Sequence, residues 1–248
     1  MPRRRRSWGG WLFLAALVIL AWFGWGQYQR VLRDEPERFP WTILSLADPI
    51  GPFTGRKLAA LGDDGARCED LLAAIGDADR PAPPRRGSNS QCGYDDGIAL
   101  RPEDRAALRY APAGLVTACP VAAALALWER DTVQPAALRL LGQRIASVEH
   151  FGSFSCRRLY GRADGAWSEH ATADAVDIAG FRLPDGRRIS VLGDWNSSEA
   201  DAAFLRAVRD GACDLFATVL SPDYNAAHAN HLHFDQAARR ATGWRGCI

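Results

Sequence analysis

From Trp8 to Gly26 the chain carries no charged residue, and four arginines, Arg3 to Arg6, stand just before that run. A helix needs about 20 mostly apolar residues to cross the hydrocarbon layer, whereas the apolar core of a cleaved signal peptide spans roughly 7–15. Nothing in the run is amphipathic, as a helix packed on a soluble core would be. Gly24-Trp25-Gly26 makes a poor small-x-small cleavage site. Residues 8–26 therefore read as an uncleaved transmembrane signal anchor, and the basic residues 1–7 before it predict a cytoplasmic N-terminus. Everything after about Gln27 is expected outside the cytoplasm. The expected location is the inner membrane, crossed once, with the C-terminal domain in the periplasm.

The cysteines agree with that compartment. Cys68, Cys92, Cys119, Cys156, Cys213 and Cys247 are even in number and widely spaced, with no C-x-x-C pair. Behind an export signal this pattern predicts three disulfides rather than a zinc knuckle or a redox dithiol. Six cysteines allow 15 connectivities. Pairing of neighbours, Cys68 with Cys92, Cys119 with Cys156 and Cys213 with Cys247, is the expectation. The net charge of +1 gives no case for nucleic acid as a partner. Oligomeric state leaves no mark in the sequence.

Residues 27–55, broken by Pro36, Pro40, Pro49 and Pro52, read as a linker, and residues 56–248 as one folded domain. Apolar spacing predicts a helix over Lys57–Ile75. Asp77–Gln91, with Pro81, Pro83 and Pro84, reads as a surface loop. One or two strands are predicted in Ile98–Val116. A helix then opens at Cys119-Pro120 and runs to Trp128, since proline suits a first helical turn. A short helix over Pro135–Leu141 and a strand within Arg144–Cys156 follow. Ala175–Leu183 and Arg188–Leu192 read as strands joined by the turn Pro184-Asp185-Gly186. Ser197 or Ser198 is expected to cap a helix ended by Gly211, and Leu215–Leu220 and Asn230–Phe234 read as further strands. The sum is an α+β fold, an antiparallel sheet with flanking helices.

Histidine is concentrated. Of 5 in the chain, 4 lie in two short segments, Ser168–Asp177 and His228–Asp235. Neutral imidazole is the commonest metal ligand. His170 and Asp177, seven apart, would be separated by ~10.5 Å along one helix and would face opposite ways on one strand. To share an ion, the chain must turn between them at Ala171-Thr172-Ala173, with Asp177 on the strand that follows. His231 and His233 point the same way on a strand, so one can bind metal while the other faces a substrate. His228 can reach in from a loop, and Asp235 can hydrogen-bond a ligand histidine. A His/His/Asp set with one open position suits a catalytic zinc ion. His150 has no partner nearby in sequence and reads as a packed or surface residue.

Ser168, His170, Ala173, Ala175 and Asp177 spell S-x-H-x-x-(small)-x-A-x-D, which resembles the signature of zinc D-alanyl-D-alanine carboxypeptidases. His228, His231 and His233, as H-x-x-H-x-H, are similar to the pattern of penicillin-insensitive murein endopeptidases. The wider segment from about Lys57 to Cys247 resembles the bacterial extensin-like C-terminal domain family. The resemblance implies a zinc murein-peptidase-like core with His170, Asp177 and His233 as metal ligands. It makes His231, with His228 as helper or substitute, the catalytic group. Arg157 becomes the substrate-orienting residue, and Ser168 and Asp235 become supports for the ligands. Two positions depart from the carboxypeptidase pattern: Ala173 stands where glycine is usual, and Asn230 where the glutamate base is expected.

Location and resemblance together imply peptidoglycan peptides as substrate and zinc-dependent amide hydrolysis as the reaction, of the D,D-carboxypeptidase or endopeptidase class. The Asn230 departure favours a second reading, an inactive wall-binding or scaffold domain that retains its metal. Trp167 and Trp195 can each line a cleft or pack as core. Glu169 is expected to face solvent, turned away from His170.

Overall fold

The computed structural model describes residues 8–76, 80–100, 108–197, 199–238 and 245–248. Arg3 to Arg6, Ser198 and parts of the stretches 77–91 and 98–116 lie outside them. Helix α1 (Trp8–Asp34) outruns the uncharged segment by two turns, and by length and composition it is apolar enough to cross a membrane. A 3₁₀ turn at Pro36–Arg38 then reverses the chain. Leu44 and Leu46 are already buried in the core, and Arg130 donates to the Leu46 and Asp48 carbonyls. The packed body thus takes in residues well ahead of position 56.

The helix expected over Lys57–Ile75 is two: α2 (Thr54–Ala59) and α3 (Gly65–Ala74), linked by a 3₁₀ turn at Ala60–Asp63. Asp64 leaves helical dihedrals and caps α3, its carboxylate accepting the Arg67 N–H. Short strands β1 (Arg80–Pro81), β2 (Arg85–Arg86), β3 (Gly93–Tyr94), β4 (Gly97–Ala99), β5 (Arg109–Ala111) and β6 (Val116–Ala118) follow. Of these, β1, β4 and β6 form a small antiparallel sheet, and β2 and β3 a ribbon. Then come α4 (Cys119–Trp128), a π-helical turn at Glu129–Val133, and α5 (Gln134–Leu141), which ends at left-handed Gly142.

The main sheet is built from β5, β7 (Ser147–Gly152), β8 (Ala175–Arg182), β9 (Arg188–Ser190), β10 (Thr218–Leu220), β11 (Leu232–Asp235) and β12 (Gly246–Cys247). Its order is β12-β10-β11-β8-β7-β5, with β9 beside the later half of β8. The expected wholly antiparallel sheet is mixed. Its centre is antiparallel, but β5 pairs parallel with β7, and β12 parallel with β10. Those two edge strands arrive through long connections, so they are free to run either way. Helix α6 (Val191–Asp194) replaces the end of the expected returning strand, and α7 (Ala200–Cys213) runs past Gly211.

Helices cover one face of the sheet. The Trp128 ring lies 6.0 Å from Phe181 and 5.3 Å from Phe234, and Phe204 meets Phe181 edge-on. Val176, Ile178 and Phe181 all reach this core, a parity that an unbroken strand would forbid. The register supplies the reason. Glu149 pairs with Gly180 and His150 with Ile178, so β8 carries an extra residue at Ala179. That bulge leaves Asp177 on the uncovered face while Phe181 points into the core. At Gly180 any β-carbon would stand 2.5 Å from the Ile189 carbonyl oxygen, so only glycine permits the approach of β9.

The disulfides are Cys68–Cys119, Cys92–Cys156 and Cys213–Cys247. Only the last matches the pairing of neighbours. Cys68 on α3 packs instead against the start of α4, which brings Cys119. The β2–β3 ribbon reaches across to Phe154, with Arg85 over that ring and Tyr94 edge-on to it, and this delivers Cys92 to Cys156. The surface loop is therefore tied to the segment that leads into Ser168, and Cys68 does not close its base.

Candidate functional site

The register of the sheet puts His233 on β11 directly across from Asp177 on β8. Both face away from the helices. The Asp177 Oδ1 lies 3.0 Å from His233 Nδ1, and the other nitrogen of that ring, Nε2, lies 3.1 Å from Asp235 Oδ2. Two residues apart on one strand, His233 and Asp235 share a side, which is why this support reaches.

His170 comes from a 3₁₀ turn, Glu169–Thr172, opened by Ser168, whose hydroxyl accepts the His170 N–H. Ala173 then takes a left-handed φ of 60°, and the chain enters β8. The turn expected between His170 and Asp177 lies there. Only glycine adopts that conformation without cost, so Ala173 holds the turn against a steric penalty. The His170 Nδ1 sits 2.6 Å from the Ser153 carbonyl and donates to it, which turns Nε2 inward. That Nε2 is 3.3 Å from His233 Nδ1 and 3.3 Å from Asp177 Oδ1. Among the described residues, His170, Asp177 and His233 form the group whose donor atoms converge closely enough to share one cation.

His231 stands one residue ahead of β11, outside the strand expected to carry it, yet its Nε2 comes within 3.5 Å of the same Asp177 oxygen. Its Nδ1 lies 2.8 Å from the Asn230 side-chain oxygen, which fixes the tautomer. His228 comes from a 3₁₀ turn at Ala226–His228, and Asn225 Oδ1 holds its Nδ1 at 2.8 Å. The His228 ring packs 5.1 Å from His231 and 5.9 Å from His233. These groups line a cleft of about 490 Å³ with Arg157, Tyr160, Trp167 and Tyr224.

The electrostatics sort the residues. Burial alone would raise Asp177, but hydrogen bonds from His170 and His233 outweigh it and hold the carboxyl below its ordinary range. Burial opposes charge on His233 as well, yet Asp177 and Asp235 win and lift it to about 9. His228 goes the other way, to about 4, first through burial and then through the neighbouring His231 and His233 rings. Burial likewise lowers His231, against the pull of Asp177. Carboxylates thus pull His233 one way, while burial pulls His228 and His231 the other.

Arg157 is exposed at the cleft wall, and Arg158 stacks 4.5 Å over Trp167. Trp195 is core, with its indole N–H donating to Asp223. His150 lies away from the cleft, its Nε2 2.8 Å from the Pro112 carbonyl. Glu169, expected to face solvent, is half-buried and lines the cleft. Sequence reasoning missed the Ser153 carbonyl, Tyr160, Tyr224 and Asn225. Of these only Asn225 left a signal, an Asx-type start three residues before His228.

The family described as extensin-like protein C-terminus matches residues 66–248. The chain belongs to that family. It matches no curated protein and no solved structure.

Proposed function

We propose that this chain is a membrane-anchored, exported zinc-dependent hydrolase of the peptidase type, acting on peptidoglycan peptides. The observation that carries the reading is the convergence of His170 Nε2, His233 Nδ1 and Asp177 Oδ1 at separations of 3.0 to 3.3 Å. Ligand atoms about 2.0–2.1 Å from a tetrahedral zinc ion stand roughly 3.3 Å from one another. The outer nitrogens of both histidines are hydrogen-bonded to the Ser153 carbonyl and to Asp235, an arrangement that fixes ring orientation in zinc sites. Oxygen and nitrogen donors without thiolate suit zinc better than a soft-metal site. All six cysteines are in disulfides, so none competes.

The chemistry zinc supplies in such a setting is polarisation of a carbonyl and acidification of water towards a pKa of about 7. The protein's own groups complete the reading. His231, neutral and with Nδ1 held by Asn230, presents Nε2 to accept a proton and return it to the departing amine. Asn230 thereby serves the base, although it cannot be one. Arg157 can fork onto a substrate carboxylate at the cleft wall, a planar contact that lysine makes poorly. Helix α1 fits a single-pass anchor that keeps the cleft near the wall.

The test is incubation of the detergent-solubilised chain with zinc and muropeptides, followed by mass spectrometry. A cleaved stem or crosslink is expected, with His231→Ala retaining zinc and losing at least 100-fold in rate. Zinc binding without cleavage of any stem or crosslink would instead establish the wall-binding scaffold, which the absence of a glutamate at position 230 favours.

A further inference from the structure

The chain that leaves α1 does not run straight to the folded body. It turns at Glu35–Arg38 and returns alongside the helix, and the Thr42 hydroxyl closes the turn by donating to the Pro36 and Phe39 carbonyls. The return sets up a ladder of four aromatic rings. Trp25 lies 5.5 Å from Tyr28, Tyr28 lies 6.0 Å from Phe39, and Phe39 lies 5.2 Å from Trp41. Tyr28 is two residues beyond Gly26, the last residue of the uncharged run. At ~1.5 Å per residue it stands about 3 Å past the end of that run. Phe39 and Trp41 have therefore been brought back to the level where a spanning helix leaves hydrocarbon for headgroups.

The segment after the ladder alternates. Thr42 and Leu44 face the body, where the Thr42 hydroxyl accepts from Lys57 Nζ at 2.8 Å and Leu44 is buried. Trp41 and Ile43 face outward and are 65% and 77% exposed. An extended strip with one face fixed to the domain and the other presenting a tryptophan and an isoleucine is costly in water. It is favourable where tryptophan and tyrosine concentrate, at the membrane–water interface.

We infer that residues 39–43 form a second membrane contact: Phe39, Trp41 and Ile43 lie in the headgroup layer of the bilayer that α1 spans and hold the catalytic domain against the membrane surface. The occupant is the phospholipid interface, because the strip is continuous through its ring contacts with the apolar helix itself. The inference rests on α1 being membrane-embedded. It changes what the anchor does: the Thr42–Lys57 and Arg130–Leu46 hydrogen bonds join the strip to the body, so the domain is held at short range and does not swing on a free tether.

The test uses the full chain in vesicles of phosphatidylethanolamine and phosphatidylglycerol. The photoreactive residue p-benzoylphenylalanine is placed in turn at Trp22, Trp41, Ile43 and, against the His231 ring, the exposed Phe151. After irradiation, lipid adducts are measured by mass spectrometry. Adducts at Trp22, Trp41 and Ile43, with at least ten times less at Phe151, are expected. Adducts at Trp22 but not at Trp41 or Ile43 would overturn the second contact and leave the anchor standing. Equal labelling at Phe151 would overturn it too, by showing contact without selectivity. No adduct at Trp22 would remove the anchor and the inference with it.

Discussion

Each histidine of the proposed metal set is held through its other ring nitrogen, His170 by the Ser153 carbonyl and His233 by Asp235. Asp235 holds the far nitrogen of His233. Asp235→Asn keeps the shape and weakens that acceptor, so zinc affinity should fall 10- to 100-fold. Asp177→Asn should cost more than 100-fold, because it turns a proposed anionic donor into a neutral amide. Competition with a chromophoric chelator measures both. The same residues set a pH dependence in the metal-free protein. His233 is raised from 6.5 to about 9, so its stabilising contribution is complete below pH 6.5 and disappears as the pH climbs through 9. Asp177 is lowered from 3.8, so its contribution is present above that value and is lost as the pH falls further, through its lowered pKa. The urea midpoint of chelator-treated protein should therefore decline between pH 6.5 and 9, and Asp177→Asn should flatten that limb. Zinc should reverse the trend, since binding requires His233 to give up its proton.

At the scale of elements, the site depends on one bulge and one crosslink. Gly180→Ala sets a methyl group against the Ile189 carbonyl on a central strand, and a loss of roughly 1–3 kcal/mol in urea unfolding is expected. Breaking Cys92–Cys156, which closes 64 residues of chain, should cost about 4 kcal/mol by loop entropy. It should also loosen the segment that carries His170, read as lower zinc affinity in Cys92→Ser/Cys156→Ser. Spacing alone required a turn between His170 and Asp177 and a shared side for His233 and Asp235, and both are present. Neither the bulge at Ala179 nor the crossed disulfides left a local trace. Each is set by which element packs on which, as when α3 meets α4. The parallel pairing of β5 and β12 escaped for the same reason, because strand direction at a sheet edge follows the route of the connection.

Taken whole, the molecule divides its two faces of sheet between tasks. Helices α4, α5 and α7 bury one around Trp128, and the other carries four histidines in a cleft. The run from Trp8 to Gly26 is legible in the sequence, whereas the return of Phe39 to Tyr28 is not, since the prolines of that stretch read only as a linker. In the proposed function, two imidazoles and one carboxylate from distant parts of the chain hold a single zinc ion. X-ray absorption at the zinc edge, on protein purified and loaded with zinc, tests it most directly. One ion per chain, nitrogen and oxygen neighbours that include two imidazoles, and loss of that signal in His170→Ala are expected. Zinc that fails to bind stoichiometrically, or that binds unchanged in His170→Ala, would contradict it.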